Sequence, residues 1–203
     1  MLFRSTTITT QAGADDIDIA TTGIDSNVVI NTAAGADDIN IVTTGGDGPD
    51  ADALGSFVQV NAGGEADTLT LQGSGAASRV ELNGEAGTDT VNVWTTGALS
   101  VTNVNGGDNT DTIDIGSPAD SLGGILGDIW VNGDAHDAGT TTLTIRTDSN
   151  TLATGDILNL NDQGDAGSFT YALDAATFAR TGTGTVTYGT IRSEEHTSEL
   201  QSH

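Results

Sequence analysis

Short runs in which apolar and polar residues strictly alternate recur along the chain. Ile17 and Ile19 flank Asp18, and the same triplet returns at Ile39-Asn40-Ile41, Leu69-Thr70-Leu71, Val91-Asn92-Val93 and Ile113-Asp114-Ile115. A period of two puts the apolar side chains on one face and the polar ones in water, so each triplet predicts a short half-buried β-strand. Leu143/Ile145 and Phe169/Tyr171 continue the pattern in weaker form. Two residues before each of the first five triplets stands an aspartate: Asp15, Asp37, Asp67, Asp89 and Asp111, at intervals of 22, 30, 22 and 22 residues.

A second strand precedes each aspartate. Its apolar residue lies seven positions earlier (Ile8, Ile30, Val60, Leu82, Val104), and from the second unit on an asparagine follows it (Asn31, Asn61, Asn83, Asn105). Asn132 and Asn161 are expected to extend that column. After the later strand comes a corner, Thr21-Thr22-Gly23, Thr43-Thr44-Gly45 and Thr95-Thr96-Gly97. One unit of about 22 residues is therefore strand, Asn/Gly turn, strand, Thr/Gly corner. The longer intervals are assigned to loop insertions at 45–55 and 117–127, which a stack of coils tolerates.

A coil this small cannot bury its own apolar face, whereas stacked coils share one narrow core. The predicted fold is all-β, a parallel β-helix of about seven coils; the alternative is an antiparallel β-sandwich, which also offers short strands with frequent turns. Residues 1–145 read as regular coils and 146–191 as variant coils or a capping hairpin of the same domain. Residues 192–203 carry Glu and His found rarely upstream and resemble a translated sequencing adapter, a non-native tail to be set aside. The remainder is expected to be a fragment of something longer.

Composition sharpens this picture. Only 35% of residues are hydrophobic, with 29 acidic residues against five basic ones, no Cys and a net charge of −24. Such a field repels nucleic acid and anionic membrane surfaces and attracts cations. The absence of Cys excludes disulfides, thiolate metal sites and a Cys nucleophile. No apolar run reaches the length of a membrane span.

The turns before the aspartates carry the candidate chemistry. Ala62-Gly63-Gly64-Glu65-Ala66-Asp67-Thr68-Leu69-Thr70, Gly84-Glu85-Ala86-Gly87-Thr88-Asp89-Thr90-Val91-Asn92 and Gly106-Gly107-Asp108-Asn109-Thr110-Asp111-Thr112-Ile113-Asp114 match a degraded form of the nonapeptide G-G-x-G-x-D-x-U-x. Over residues 8–191 the chain resembles the haemolysin-type calcium-binding repeats of secreted bacterial toxins and, more closely, the Gly/Asp/Thr-rich repeats of large bacterial surface and adhesin-like proteins. The resemblance implies calcium at Asp15, Asp37, Asp67, Asp89 and Asp111, and an extracellular or cell-surface setting. It is incomplete, because one copy per 22 residues replaces the directly abutting copies of the toxin repeats. Stacked carboxylates repel and call for counter-charge; the competing reading is that each Asp only caps its own turn. Asp47, Asp50 and Asp52 form a second cation candidate, and Asn161, Asp162 and Asp165 a third.

The expected function is a non-catalytic structural and adhesive segment of an exported bacterial surface protein, calcium-stabilised, with surface glycans or proteins as partners and no nucleic acid or membrane insertion. The alternative is a calcium-dependent polysaccharide lyase or hydrolase on the same scaffold, which would gather Arg79 or Arg146 with several Asp in a groove. The trio Asp134, His136 and Asp137 reads as a solvent-facing turn. Trp94 and Trp130 read as fillers at a coil end or under a loop rather than as exposed stacking platforms.

Overall fold

The computed structural model describes residues 4–46, 55–135, 139–145, 148–189 and 191. It is all-β, and its two long sheets are the two faces of a parallel β-helix. One face stacks β1 (Arg4–Thr9), β3 (Ser26–Asn31), β5 (Phe57–Asn61), β7 (Arg79–Ala86), β9 (Val101–Asp108), β11 (Asp128–Ala135) and β17 (Thr185–Gly189) in parallel. The other stacks β2 (Asp16–Ile19), β4 (Asp38–Ile41), β6 (Thr68–Leu71), β8 (Thr90–Val93), β10 (Thr112–Ile115) and β14 (Ile157–Leu160). The chain alternates between faces, and among the described residues no strand pairs with its sequence neighbour until the last coil. That pattern excludes the antiparallel sandwich.

Register explains how so few apolar residues make a core. Ile17, Ile39, Leu69, Val91, Ile113 and Leu158 stack in one column, and Ile19, Ile41, Leu71, Val93, Ile115 and Leu160 in the next. From the opposite face come Ile8, Ile30, Val60, Leu82, Val104 and Val131. The central members are completely buried, and each fully buried Leu, Ile or Val contributes about 1.5–3 kcal/mol. One polar residue interrupts this interior. Thr102 stands between Val80 and Ile129, has no exposed surface, and its Oγ1 lacks a partner among the described residues.

The outward positions are stitched as well. Asn61 donates to Asn31 (2.7 Å), Asn83 to Asn61 (2.9 Å) and Asn105 to Asn83 (2.6 Å). On the other face Asn40 donates to Asp18 (2.9 Å) and Asn159 to Asp114 (2.6 Å). Asn132 is in register with Asn105, as expected. Asn161 is not part of that column: its N–H bonds the Ile115 carbonyl at the end of the other sheet.

The last coil departs from the predicted spacing. Leu143 and Ile145 belong to β12 (Gly139–Ile145), which pairs antiparallel with β13 (Asp148–Thr154) as a separate hairpin. The strand that stacks on Ile113 and Ile115 is β14, with Leu158 and Leu160, so the insertion comprises this hairpin as well as the 117–127 loop. Among the described residues the two long faces share six full coils, and β17 adds a seventh level on one face, in keeping with the expected number of about seven. There β16 (Thr177–Arg180) and β15 (Tyr171–Leu173) turn antiparallel and finish the sheet. Tyr171 thus lies in a terminal hairpin rather than in a coil.

Candidate functional site

The turn that closes each first strand brings its aspartate inward. Asp37, Asp67, Asp89 and Asp111 are only 3%, 2%, 1% and 0% exposed, too deep to serve as a solvated acidic surface. One oxygen of each has a fixed task. Asp37 Oδ1 accepts the N–H of Asp15 (2.7 Å), Asp67 that of Asp37 (2.7 Å), Asp89 that of Asp67 (2.8 Å) and Asp111 that of Asp89 (2.8 Å). Asp156 completes the series by accepting from Asp111 (2.9 Å). Each carboxyl therefore holds the turn of the preceding coil rather than its own, through a buried hydrogen bond.

The second oxygen of Asp37, Asp67, Asp89 and Asp111 is buried without a hydrogen-bond partner among the described residues. At the end of the column it faces a glycine. A methyl added to Gly84 would collide with Oδ2 of Asp89 and with the Gly106 carbonyl oxygen, and one added to Gly106 with Oδ2 of Asp111. These glycines are there because the carboxyl needs their side-chain space. Burial pushes the Asp67 carboxyl up to about 7 and Asp111 up to about 6, the adjoining carboxylates adding to the effect, while the accepted N–H pulls both down. Burial raises Asp89 as well, against the N–H of Asp67. An unpartnered oxygen in dry surroundings favours the protonated form.

Calcium takes six to eight oxygens. The column supplies one carboxylate per coil with one oxygen already committed, and no three Asp, Glu or His side chains converge among the described residues. Asp15, Asp37, Asp67, Asp89 and Asp111 thus stand in one column in which the carboxyls from Asp37 on each accept a backbone N–H, and these groups alone do not make a calcium shell. Asp47, Asp50 and Asp52, like Arg146, His136 and Asp137, lie outside the described residues.

The third cation candidate is filled by the protein itself. Arg180, 6% exposed, sets Nη1 2.6 Å from Asp162 Oδ1 and 2.6 Å from Asp165 Oδ2, with its guanidinium 3.5 Å from the centre of the Phe169 ring. Ser121 donates to Asp165 Oδ1 (2.7 Å), the Leu122 N–H to Asp162 Oδ1 (3.0 Å), and the Tyr171 hydroxyl to Asp162 Oδ2 (2.6 Å). This clasp ties the terminal hairpin to the 117–127 loop. The Ser121 bond, aided by Arg180, holds the Asp165 carboxyl below the usual range. Arg79 pairs with Glu81 and lies over Phe57 on the outer face, and among the described residues no group of Asp gathers around it.

Opposite the aspartates runs a hydroxyl staple that the Thr-Thr-Gly corners only hint at. Ser26, Ser56, Ser78 and Ser100 donate to the carbonyls of Gly23 (2.7 Å), Gly45 (2.5 Å), Gly75 (2.7 Å) and Gly97 (2.7 Å). Thr22, Thr44 and Thr96 accept the N–H of Gly45 (2.8 Å), Gly75 (3.0 Å) and Gly127 (2.9 Å) one coil on. The signal was available: each of these serines stands eleven residues before Asp37, Asp67, Asp89 or Asp111. Trp130 differs from its expected role, projecting from the outer face with 53% of its surface exposed. Comparison of the chain with protein-family models, with curated proteins and with solved structures finds no match.

Proposed function

We propose that the chain is a non-catalytic structural and adhesive repeat segment of a large exported bacterial surface protein. The observation that carries this reading is the use of the polar residues. Buried Asp and Thr and most of the outward Asn bond from coil to coil in register, while the serines brace their own corners, a repeated use of polar groups that supports a stiff rod over a reaction centre. A lyase or hydrolase would need its acid, base or cation free to meet substrate. Arg79 is instead engaged by Glu81 and Arg180 by Asp162 and Asp165. Calcium enters the reading through Asp47, Asp50 and Asp52, three carboxylates within six residues of sequence.

Two measurements on the full chain test this. Incubation with neutral and acidic polysaccharides, with and without calcium, is expected to release no reducing ends and no unsaturated products; turnover abolished by Glu81→Gln would overturn the non-catalytic reading. Thermal melts in chelator, calcium and magnesium are expected to show a calcium-specific rise that is lost in the Asp47→Asn/Asp50→Asn/Asp52→Asn variant. A rise that survives in that variant removes the loop from the account.

A further inference from the structure

On the outer face of the nine-stranded sheet, register sets Gln59, Glu81, Asn103, Trp130 and Thr187 side by side, with Asn61, Asn83, Asn105 and Asn132 in the adjoining row. Along most of that second row the amides satisfy one another. The zip stops at Asn105, because Asn132 turns its amide to Asp134. Among the described residues Asn105 Oδ1 receives no donor and the Asn103 amide makes no side-chain hydrogen bond. Both stand beside the exposed indole of Trp130, in an open groove of about 480 Å³ that Glu81 and Tyr188 also line.

We propose that this groove binds a neutral glycan, its sugar ring stacked on Trp130 and its hydroxyls bonded to Asn103 and Asn105. The proposal rests on the adhesive reading above and names its ligand class. An exposed indole favours a ligand with an apolar C–H face, and unpaired amide donors and acceptors beside it favour hydroxyls at the rim of that face. A peptide added as a strand is disfavoured, since the groove lies on a sheet face whose backbone is already paired on both sides. Glu81 offers no lone charge to a cationic sugar, because Gln59 (3.1 Å) and Arg79 already hold its two oxygens. A net charge of −24 repels uronic-acid and sulfated polymers. A neutral chain of hexose or N-acetylhexosamine units is what remains.

The test is binding of the full chain to neutral gluco-, manno-, xylo- and N-acetylglucosamine oligosaccharides, with polygalacturonate as the anionic control, by glycan array and then calorimetry. The same titrations are made on Trp130→Ala, Trp130→Phe and Asn103→Ala, each checked by its melt. A neutral oligosaccharide is expected to bind, with affinity lowered about tenfold or more by Trp130→Ala and less by Trp130→Phe. Absence of binding to every neutral probe, equal affinity in Trp130→Ala, or preference for polygalacturonate overturns the proposal. None of these outcomes touches the structural reading, which stands or falls on the turnover and melting experiments.

Discussion

Replacing Asp111 by asparagine separates a protonated aspartate column from an ionised one. Oδ1 would still accept the N–H of Asp89, now as an amide oxygen, and Nδ2 would occupy the place of the unpartnered Oδ2 beside Gly106. Burial, with repulsion from Asp89, Asp156 and Asp108 added, pushes the folded-state carboxyl up to about 6, from an ordinary value of about 3.9. A raised folded value means that the folded chain binds this proton more tightly than the unfolded one. The resulting stabilisation is complete below pH ~4 and is lost as pH rises through 6. A shift of about two units corresponds to roughly 3 kcal/mol at pH 8. Asp111→Asn, neutral at every pH, is expected to recover about 1–3 kcal/mol of that at pH 8 and close to nothing at pH 4. In a chain of this size the gain at pH 8 is about 2–12 °C in Tm. Circular dichroism melts of both proteins from pH 4 to 8 read it directly. A substitution that destabilises at pH 8, together with a wild-type Tm that rises between pH 5 and 8, would refute the argument and point to ionised carboxylates held by a cation.

Three further substitutions probe other parts of the stack. Thr102→Val removes a buried hydroxyl without a partner and leaves a side chain of similar shape, so it is expected to raise stability by about 1–2 kcal/mol, seen as a higher denaturation midpoint at unchanged slope. Ser78→Ala deletes the donor to the Gly75 carbonyl and the partner of the Thr44 hydroxyl; a loss of about 1–2 kcal/mol is expected, and an unchanged melt would show the staple to be ornamental. Arg180→Leu leaves Asp162 and Asp165 facing each other without their cation, at a cost of about 3–5 kcal/mol to the terminal hairpin. Hydrogen exchange should then show protection lost over residues 157–189 and kept over 57–108.

The coil was legible because its spacing is nearly constant. Asp37, Asp67, Asp89 and Asp111 each sit at one corner of the cross-section, so a periodic column in sequence became a physical column in space. The direction of their hydrogen bonds was not legible, since a string of letters does not say whether a carboxylate caps its own turn or that of the coil before it. The sixth rung was hidden by distance: Asp156 follows Asp111 by 45 residues, across a loop and a hairpin, and Leu143 and Ile145 imitate the expected strand in that hairpin. Arg180 escaped notice for a different reason. A lone basic residue in a drifting segment has no periodicity to mark it, and only packing brings it to Asp162 and Asp165. Trp130 shows the opposite limit, for the strict alternation of Ile129-Trp130-Val131 already placed it outward, and the general habit of burying tryptophan pointed the wrong way.

The corner-to-corner bonding also makes each coil an exchangeable part. A carboxylate that grips whichever turn lies beneath it does not read the identity of that coil, only its height and phase. Between Asp67, Asp89 and Asp111 one such part is 22 residues long, and the coil from Asp37 to Asp67 absorbs eight more without disturbing Ile39 over Leu69 or Ile41 over Leu71. A gene that joined Asp67 directly to Thr90 would set Val91 against Ile39 and leave every surviving rung with a partner. Unequal recombination between such units changes the length of the rod in steps of about 4.8 Å, so the reach of this scaffold is a quantity that copying errors adjust by whole numbers, with no new interface to evolve.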